Sequence, residues 1–279
     1  MNGTLVTRSS LPGFLGLAAA CFLSTITPSA ARAESAGDDW TWAATLYVWL
    51  PTLGGETAFP PSGDGPAIDV SAEKILDSLN FVFMGAFEGR RGAWGFATDL
   101  IYLDLGARDE ATRDFGIGAV IPATVDADLR LDMTGWLWSL VGTYAVVQQD
   151  GFTVDLFAGT RMLDLEENLK YQFNGDISGL PIVDRSGSTN AQDTYWDAIV
   201  GVKGSLLFGD DRRWYVPYYL DVGAGESDLT WQGMIGLGYA FESVDVKAVW
   251  RYLDYDLGES TPIKSIDLNG PAMGVTFRF

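Results

Sequence analysis

The sequence predicts an all-β protein, an antiparallel transmembrane β-barrel of about ten strands within a range of about eight to twelve. Three observations favour this fold. Apolar and polar residues alternate with a period of two in many segments, aromatic residues gather near the ends of those segments, and no long apolar run occurs beyond about residue 39. A strand between lipid and a polar lumen needs that alternation, whereas a spanning helix needs about 20 consecutive apolar residues.

The first 33 residues are predicted to be a secretory signal peptide. This segment has no acidic residue, an early cation at Arg8, an apolar stretch over residues 11–23 and small residues up to Ala33. That order predicts cleavage between Ala33 and Glu34. A retained membrane anchor and lipidation at Cys21 are the alternatives. Residues 34–38 are then a short linker, and residues 39–279 form the barrel.

Ten strands are predicted, each from a run of alternating residues. In the last of them, the odd positions from Met273 to Phe279 are apolar, whereas the even positions from Ala272 to Arg278 are small or polar. One face therefore suits lipid and the other suits a lumen. The predicted strands cover about residues 39–50, 80–90, 94–107, 122–147, 152–172, 194–208, 213–225, 229–241, 244–257 and 266–279.

The connections between these strands alternate in length. Residues 90–93, 148–151, 210–212 and 242–243 read as tight turns, and residues 51–79, 108–121, 173–193 and 258–265 as longer polar loops, with a short exception at 226–228. Short periplasmic turns and longer extracellular loops are typical of outer-membrane barrels. In the first long loop, Ser71 followed by residues 72–79 predicts a short helical turn.

One strand departs from simple alternation. Asp126, Asp128 and Asp132 have the same parity as Trp136 and Trp138, so that charges and tryptophans fall on one face of the fourth predicted strand. We therefore expect the polar face to change sides through a β-bulge near residues 134–135.

Composition excludes several classes of function. The 279 residues contain no His and one Cys, and 37 acidic residues face 18 basic ones, a formal charge of −19. Without imidazole, Ser-His-Asp and Cys-His catalysis and His-ligated zinc are excluded. The acidic balance argues against nucleic acid as a partner, since a phosphate backbone requires clustered Lys and Arg.

The mature chain resembles small outer-membrane β-barrel proteins of Gram-negative bacteria, a largely uncharacterised porin-like family. The likeness rests on the Trp-rich first strand from Trp40 to Trp49, on the segments at residues 83–88, 94–106 and 250–257, and on the terminal Phe279. The resemblance implies an outer-membrane location and a barrel fold, and it implies that Phe279 is the signal read by the barrel-assembly machinery. It carries no established activity.

Charged residues on the small, polar face of the strands are the candidate site. Mixed signs in a narrow lumen predict ion pairs that either hold the barrel together or line a narrow pore. These predicted lumen-lining residues are Glu88, Asp99, Asp155, Arg161, Asp197, Lys203, Asp221, Asp245, Lys247, Arg251 and Arg278.

The sequence thus predicts a structural or narrow-pore barrel that would favour small solutes or cations. The alternative is a ligand-binding or adhesion protein that acts through its acidic extracellular loops. An acidic rim could also share Ca²⁺ or Mg²⁺ with lipopolysaccharide. A carboxylate pair such as Asp164 and Glu166 could serve as acid and base, but exposed acids at strand ends are usually hydrated. We therefore expect no enzymatic activity. We also expect no cofactor and no dedicated metal site.

Overall fold

The computed structural model describes residues 39–57, 67–108, 126–174, 176–177, 180–181, 185–258 and 263–279. The predicted signal peptide, its cleavage between Ala33 and Glu34, and most of the loop at 108–121 lie outside these residues. In order along the described chain, the elements are β1 Thr41–Trp49, β2 Thr52–Thr57, β3 Ala67–Val70, α1 Ala72–Asp77, β4 Leu79–Arg91, β5 Trp94–Arg108, β6 Asp126–Gln149, β7 Phe152–Asn174, β8 Asp176–Ile177, β9 Leu180–Pro181, β10 Arg185–Phe208, β11 Trp214–Gly225, β12 Leu229–Ala240, β13 Val244–Asp256 and β14 Ile263–Arg278.

Ten of these strands close into an antiparallel barrel, in the order β1, β4, β5, β6, β7, β10, β11, β12, β13, β14. The ring is closed by the ladder between β1 and β14, which runs from Ala43 opposite Arg278 to Trp49 opposite Ala272. Below this ladder the backbones of Trp42 and Phe279 exchange two hydrogen bonds of 2.9 and 3.0 Å. The predicted ten-strand barrel is confirmed.

The two ends of the barrel differ as the sequence predicts. At the lower end the strands are joined by tight turns, and Gly92 and Gly151 occupy turn positions with φ of +61° and +95°. Glycine adopts this left-handed region without the steric cost that a side chain would bring. The upper end carries the longer connections. In an outer-membrane barrel the end with short turns faces the periplasm.

Aromatic side chains form two belts on the outward face. The lower girdle contains Trp94 packed on Tyr144 at 4.7 Å and Trp214 on Tyr239 at 4.9 Å between ring centroids. The upper girdle contains Tyr102 packed on Trp136 at 4.5 Å and Trp231 on Tyr252 at 4.7 Å. The outward face between the girdles exposes large apolar side chains: Leu46, Leu140, Leu156, Val200, Leu220, Val222, Ile235 and Leu237.

The first long connection contains more regular structure than the sequence predicts. The short helix is confirmed as α1, whose N-cap Ser71 accepts a hydrogen bond from the Lys74 amide at 3.4 Å. However, β2 and β3 form a hairpin that extends the barrel sheet, because β2 pairs with the upper half of β14 and β3 pairs with β2. The sequence did not predict these strands because, at six and four residues, they are too short to show a clear alternating pattern.

The predicted β-bulge near residues 134–135 is wrong. Thr134 lies in continuous register, opposite Asp104 on β5 and Glu166 on β7, and β6 shifts register only between Ala145 and Val147. No bulge is needed because the outward face leaves the hydrocarbon above the upper girdle. A charge above the girdle and a tryptophan within it can therefore share one face of a regular strand.

Candidate functional site

The interior of the barrel gathers the charged side chains. Strand register places the eleven predicted lumen charges on one face of the wall, opposite to the exposed apolar belt. Inward glycines make room for large neighbours on the same face. A Cβ on Gly201 would lie 2.5 Å from the Phe157 ring, and one on Gly238 would overlap the Tyr215 ring. The lumen is therefore filled by side chains from alternate positions.

A lower set of ion pairs lies towards the turn end. Lys203 on β10 binds Glu88 on β4 at 2.6 Å between Nζ and Oε2. Arg90, at the lower end of β4, forms a bidentate pair with Asp155 on β7. These pairs join strands that are three or four positions apart in the ring of ten. They therefore cross the lumen rather than run along its wall.

Three further charged residues complete this lower set. Arg278 on β14 pairs with Asp245 on β13 at 2.8 Å. Lys247, on the same strand as Asp245, lines a cavity of about 350 Å³ together with Glu88, Lys203 and Asp99. A second cavity of about 400 Å³ lies at the lower mouth beside Arg278 and Phe279. The free volume of the lower lumen is thus surrounded by paired charges of both signs.

At mid-height, Arg251 on β13 forms the first of two arginine networks. Its Nη1 donates to Asp99 Oδ2 at 3.1 Å and to Tyr47 Oη at 3.0 Å, and its Nε and Nη2 donate to Gln232 Oε1 at 3.2 and 2.8 Å. Tyr47 Oη in turn donates to Asp99 Oδ1 at 2.5 Å. The guanidinium also lies 4.7 Å from the Trp49 ring, within the range of a cation–π contact.

Arg161 on β7 forms the second network and is fully buried. It makes a bidentate pair with Asp221 on β11, and its Nη1 also donates to Thr230 Oγ1 at 3.2 Å. Tyr219 Oη donates to Asp221 Oδ2 at 2.5 Å. The cost of removing an ion pair from water is best offset when arginine and carboxylate form two parallel hydrogen bonds and further donors bind the carboxylate.

Asp197 is the one predicted lumen residue that is buried without a described ion pair to its carboxylate. It lies opposite Arg161 in the ladder between β7 and β10, and its Oδ1 accepts from the Ser227 amide at 3.0 Å. Ser227 sits in the short upper connection between β11 and β12. The carboxylate therefore fastens this connection to the barrel wall.

The upper lumen is apolar, which differs from the uniformly polar lumen that the alternation suggests. Trp49, Ile101, Leu137, Leu163 and Leu253 are all buried and belong to one cluster. The sequence carried a signal for this, because residues 100–103 are apolar on both faces of β5. A strand that is apolar on both faces is buried on both. The lumen is thus ionic towards the turn end, and towards the upper end it holds this hydrophobic cluster beside the Arg161 network.

Several residues of these networks were missed by sequence reasoning. Arg90 lies next to a turn and reads as a turn cation, and Tyr47, Tyr219 and Gln232 carry no charge. Whether a residue number is odd or even is enough to identify the inward face of each strand. It does not say which inward side chains meet across the lumen, since that depends on the curvature and stagger of the closed barrel.

No helix in the described residues is both long and apolar enough to cross a membrane. Likewise, the described residues contain no group of three or more carboxylate or thiol side chains arranged to hold a metal ion.

A closed barrel with an apolar exterior between aromatic girdles and a charged interior is a transmembrane β-barrel of the bacterial outer-membrane class. In such a barrel the backbone groups of the wall pair between neighbouring strands, and the exposed apolar belt faces lipid rather than water.

The chain was compared with known families, curated proteins and solved structures. Neither a family model nor a curated protein matches the chain. Similar solved structures include the outer membrane protease OmpT from Escherichia coli, with a TM-score of 0.46 and 11% identity over 89% of this chain and 99% of that one. The translocator domain of the autotransporter NalP from Neisseria meningitidis is similar with a TM-score of 0.42 and 14% identity over 88% of this chain and 90% of that one. Ail, the attachment invasion locus protein of Yersinia pestis, is similar with a TM-score of 0.34 and 8% identity over 87% of this chain and 100% of that one. At these identities the likeness concerns architecture alone and assigns no activity.

Proposed function

We propose that this protein is a structural barrel of the outer membrane whose lumen is closed to ions and solutes. The observation that carries the proposal is the pair of arginine networks at mid-height, in which Arg161 is fully buried and Arg251 is 5% exposed. Arg251 reaches Asp99 across four of the ten strand positions of the ring. An ion pair between opposite walls supports a lumen that is blocked at this level.

The charge balance of the lumen supports a structural role over a cation-favouring pore. Among the described residues named above, the lumen carries six acidic and six basic side chains. Nearly all of them are joined in pairs, and balanced pairs cancel the field that would concentrate cations. The acidic members are Glu88, Asp99, Asp155, Asp197, Asp221 and Asp245, and the basic members are Arg90, Arg161, Lys203, Lys247, Arg251 and Arg278.

A vesicle-swelling experiment tests this proposal. Purified protein is inserted into phospholipid vesicles, and insertion is verified by the heat-modifiable migration of a folded barrel on a gel. Vesicles diluted into small sugars or potassium salts are expected to swell no faster than vesicles without protein. Swelling that depends on the protein and favours cations would instead establish the narrow pore and overturn the closed barrel.

A second candidate function, contact with lipopolysaccharide through shared divalent cations, is supported by the outward face above the upper girdle. There Asp254 on β13 lies directly opposite Asp267 on β14, whose carboxylate leans over Gly54 towards Asp69 on β3. Like charges directly opposite each other destabilise a sheet unless a cation lies between them. The protein would supply part of the oxygen shell of Ca²⁺ or Mg²⁺, and lipid phosphates would supply the rest.

This candidate is tested with an Asp254→Asn/Asp267→Asn variant and vesicles that contain lipopolysaccharide. Magnesium is expected to raise the thermal stability of the wild-type barrel in these vesicles and to have less effect on the variant. Asp210→Asn, at a lower turn, is the matched control and should respond like the wild type. Equal responses of all three proteins would contradict the candidate.

A further inference from the structure

The ladder between β1 and β4 is incomplete at its upper end, and we call the gap between these two strands the seam. Their ladder ends where Leu46 lies opposite Gly85, although β1 continues to Trp49 and β4 begins at Leu79. Beyond that point β1 pairs with β14, and β4 pairs with β5. The Trp49 amide donates to the thioether sulfur of Met84 at 3.1 Å, where a closed ladder would offer a backbone carbonyl. A thioether is a weak acceptor.

The seam continues upwards beside the helical cap. Above β1 the sheet is extended by β2 and β3, and in the described residues β3 pairs with β2 alone. The chain then passes through α1 into β4. Ile75 of α1 packs on Val70 and Leu105 and so covers the top of the hydrophobic lumen. An open sheet edge exposed to lipid is costly because its backbone groups find no partners there.

A cavity of about 270 Å³ opens at this seam and joins the two faces of the wall. Its lining includes the lumen-facing residues Met84, Ile101 and Leu137 and the outward residues Val48 and Leu50. Val48 and Leu50 are 53% and 37% exposed, respectively. The lining is overwhelmingly apolar. Dry cavities of about 150 Å³ lined by such side chains bind a molecule the size of benzene, so this one has room for a segment of a hydrocarbon chain.

The surroundings of the cavity determine what can enter it. Trp49 closes the lower side of the cavity, and its ring contacts the Arg251 guanidinium. An apolar molecule therefore cannot enter the cavity from the ionic lower lumen. The seam opens at the level of the upper girdle, because Phe83, next to Met84, lies in register with Tyr102 and Trp136. The medium at that level is the interface where the lipid headgroups meet the acyl chains of the outer leaflet.

We propose that the seam between β1 and β4 is a lateral portal through which an acyl chain of a membrane lipid enters the apolar upper lumen. This proposal goes beyond the closed barrel and does not depend on it, because the portal connects lumen to lipid rather than one side of the membrane to the other. The acyl chain fills the apolar cavity, while its polar headgroup stays at the membrane surface.

Photolabelling tests the portal. The barrel is refolded into vesicles that contain phosphatidylcholine with a diazirine on one acyl chain, irradiated, and mapped by mass spectrometry. Label is expected on the lumen-facing Ile101 and Leu163. Label confined to outward residues would show ordinary annular lipid and overturn the proposal. Lumenal label from free diazirine-bearing fatty acid, but not from the phospholipid, would overturn the assignment to membrane lipid.

Two matched variants separate the cavity from the lipid-facing surface. Leu137→Trp fills the cavity, since Leu137 is buried and lines it, whereas Leu140→Trp places the same side chain on the exposed outward face of the same strand. The lumenal label should be lost in the first and kept in the second. Retention in both would overturn the proposal. If Leu137→Trp does not give a heat-modifiable barrel, Ile101→Phe fills the same space with a smaller addition.

Discussion

The buried pair between Arg161 and Asp221 provides the sharpest test of the ionic lumen. The two side chains are fully buried, and Asp221 also accepts from Tyr219. In Asp221→Asn the shape is kept, but the guanidinium loses its counterion. Removing one partner of a buried pair costs about 3–5 kcal/mol because an uncompensated charge remains. We therefore expect the free energy of unfolding to fall by about that amount.

The measurement is urea unfolding of the barrel in lipid vesicles, followed by tryptophan fluorescence and by heat modifiability. Asp150→Asn is the control, because Asp150 and Arg212 form an exposed pair at 3.3 Å between two lower turns, and exposed pairs contribute about 0–1 kcal/mol. The double variant Arg161→Met/Asp221→Leu removes both charges and should recover most of the loss. The reasoning is refuted if Asp221→Asn costs no more than Asp150→Asn.

Three further changes probe the wall, the cap and assembly. In Gly238→Ala the new methyl group would overlap the Tyr215 ring, so the barrel should be destabilised by about 1–3 kcal/mol in the same unfolding assay. In the control Gly135→Ala the nearest neighbour of the new methyl group would lie at 3.5 Å, so this variant should be tolerated. An equal cost for both variants would contradict the packing argument. Ser71→Ala removes the N-cap of α1 and should lower local helix stability by about 1 kcal/mol, seen as faster amide exchange in the helix, whereas unchanged exchange would show that the cap is irrelevant. Deletion of Phe279 should reduce insertion in cells but leave refolding into detergent nearly unchanged, and normal cellular assembly would rule out its role as the assembly signal.

The strands were predictable because each carries its own signal. Alternation places the odd positions from Met273 to Phe279 on the lipid face, and the tight turns at Gly92 and Gly151 separate neighbouring strands. Membrane and lumen impose opposite polarity on the two faces of one strand. This local rule locates most strands of the barrel within a few residues, but β10 begins at Arg185, inside the loop predicted at residues 173–193.

The candidate site was predictable only in part. Parity selected Arg161, Asp221 and Arg251 as inward residues, but their pairing depends on distant strands that the closed barrel brings together. Arg90 was missed because its position beside a turn suggested solvent. The prediction of a bulge at residues 134–135 was wrong because it assumed that every outward residue of the strand faces lipid. Asp132 faces outward but lies above the upper girdle.

The most direct test of the closed barrel is conductance across a planar lipid bilayer. Heat-modifiable wild-type protein is inserted, with a general porin in the same membrane as a positive control. The two arginine networks predict that insertion adds no discrete conductance steps above the bare bilayer. Reproducible steps from the folded barrel would contradict the account and show that the lumen conducts.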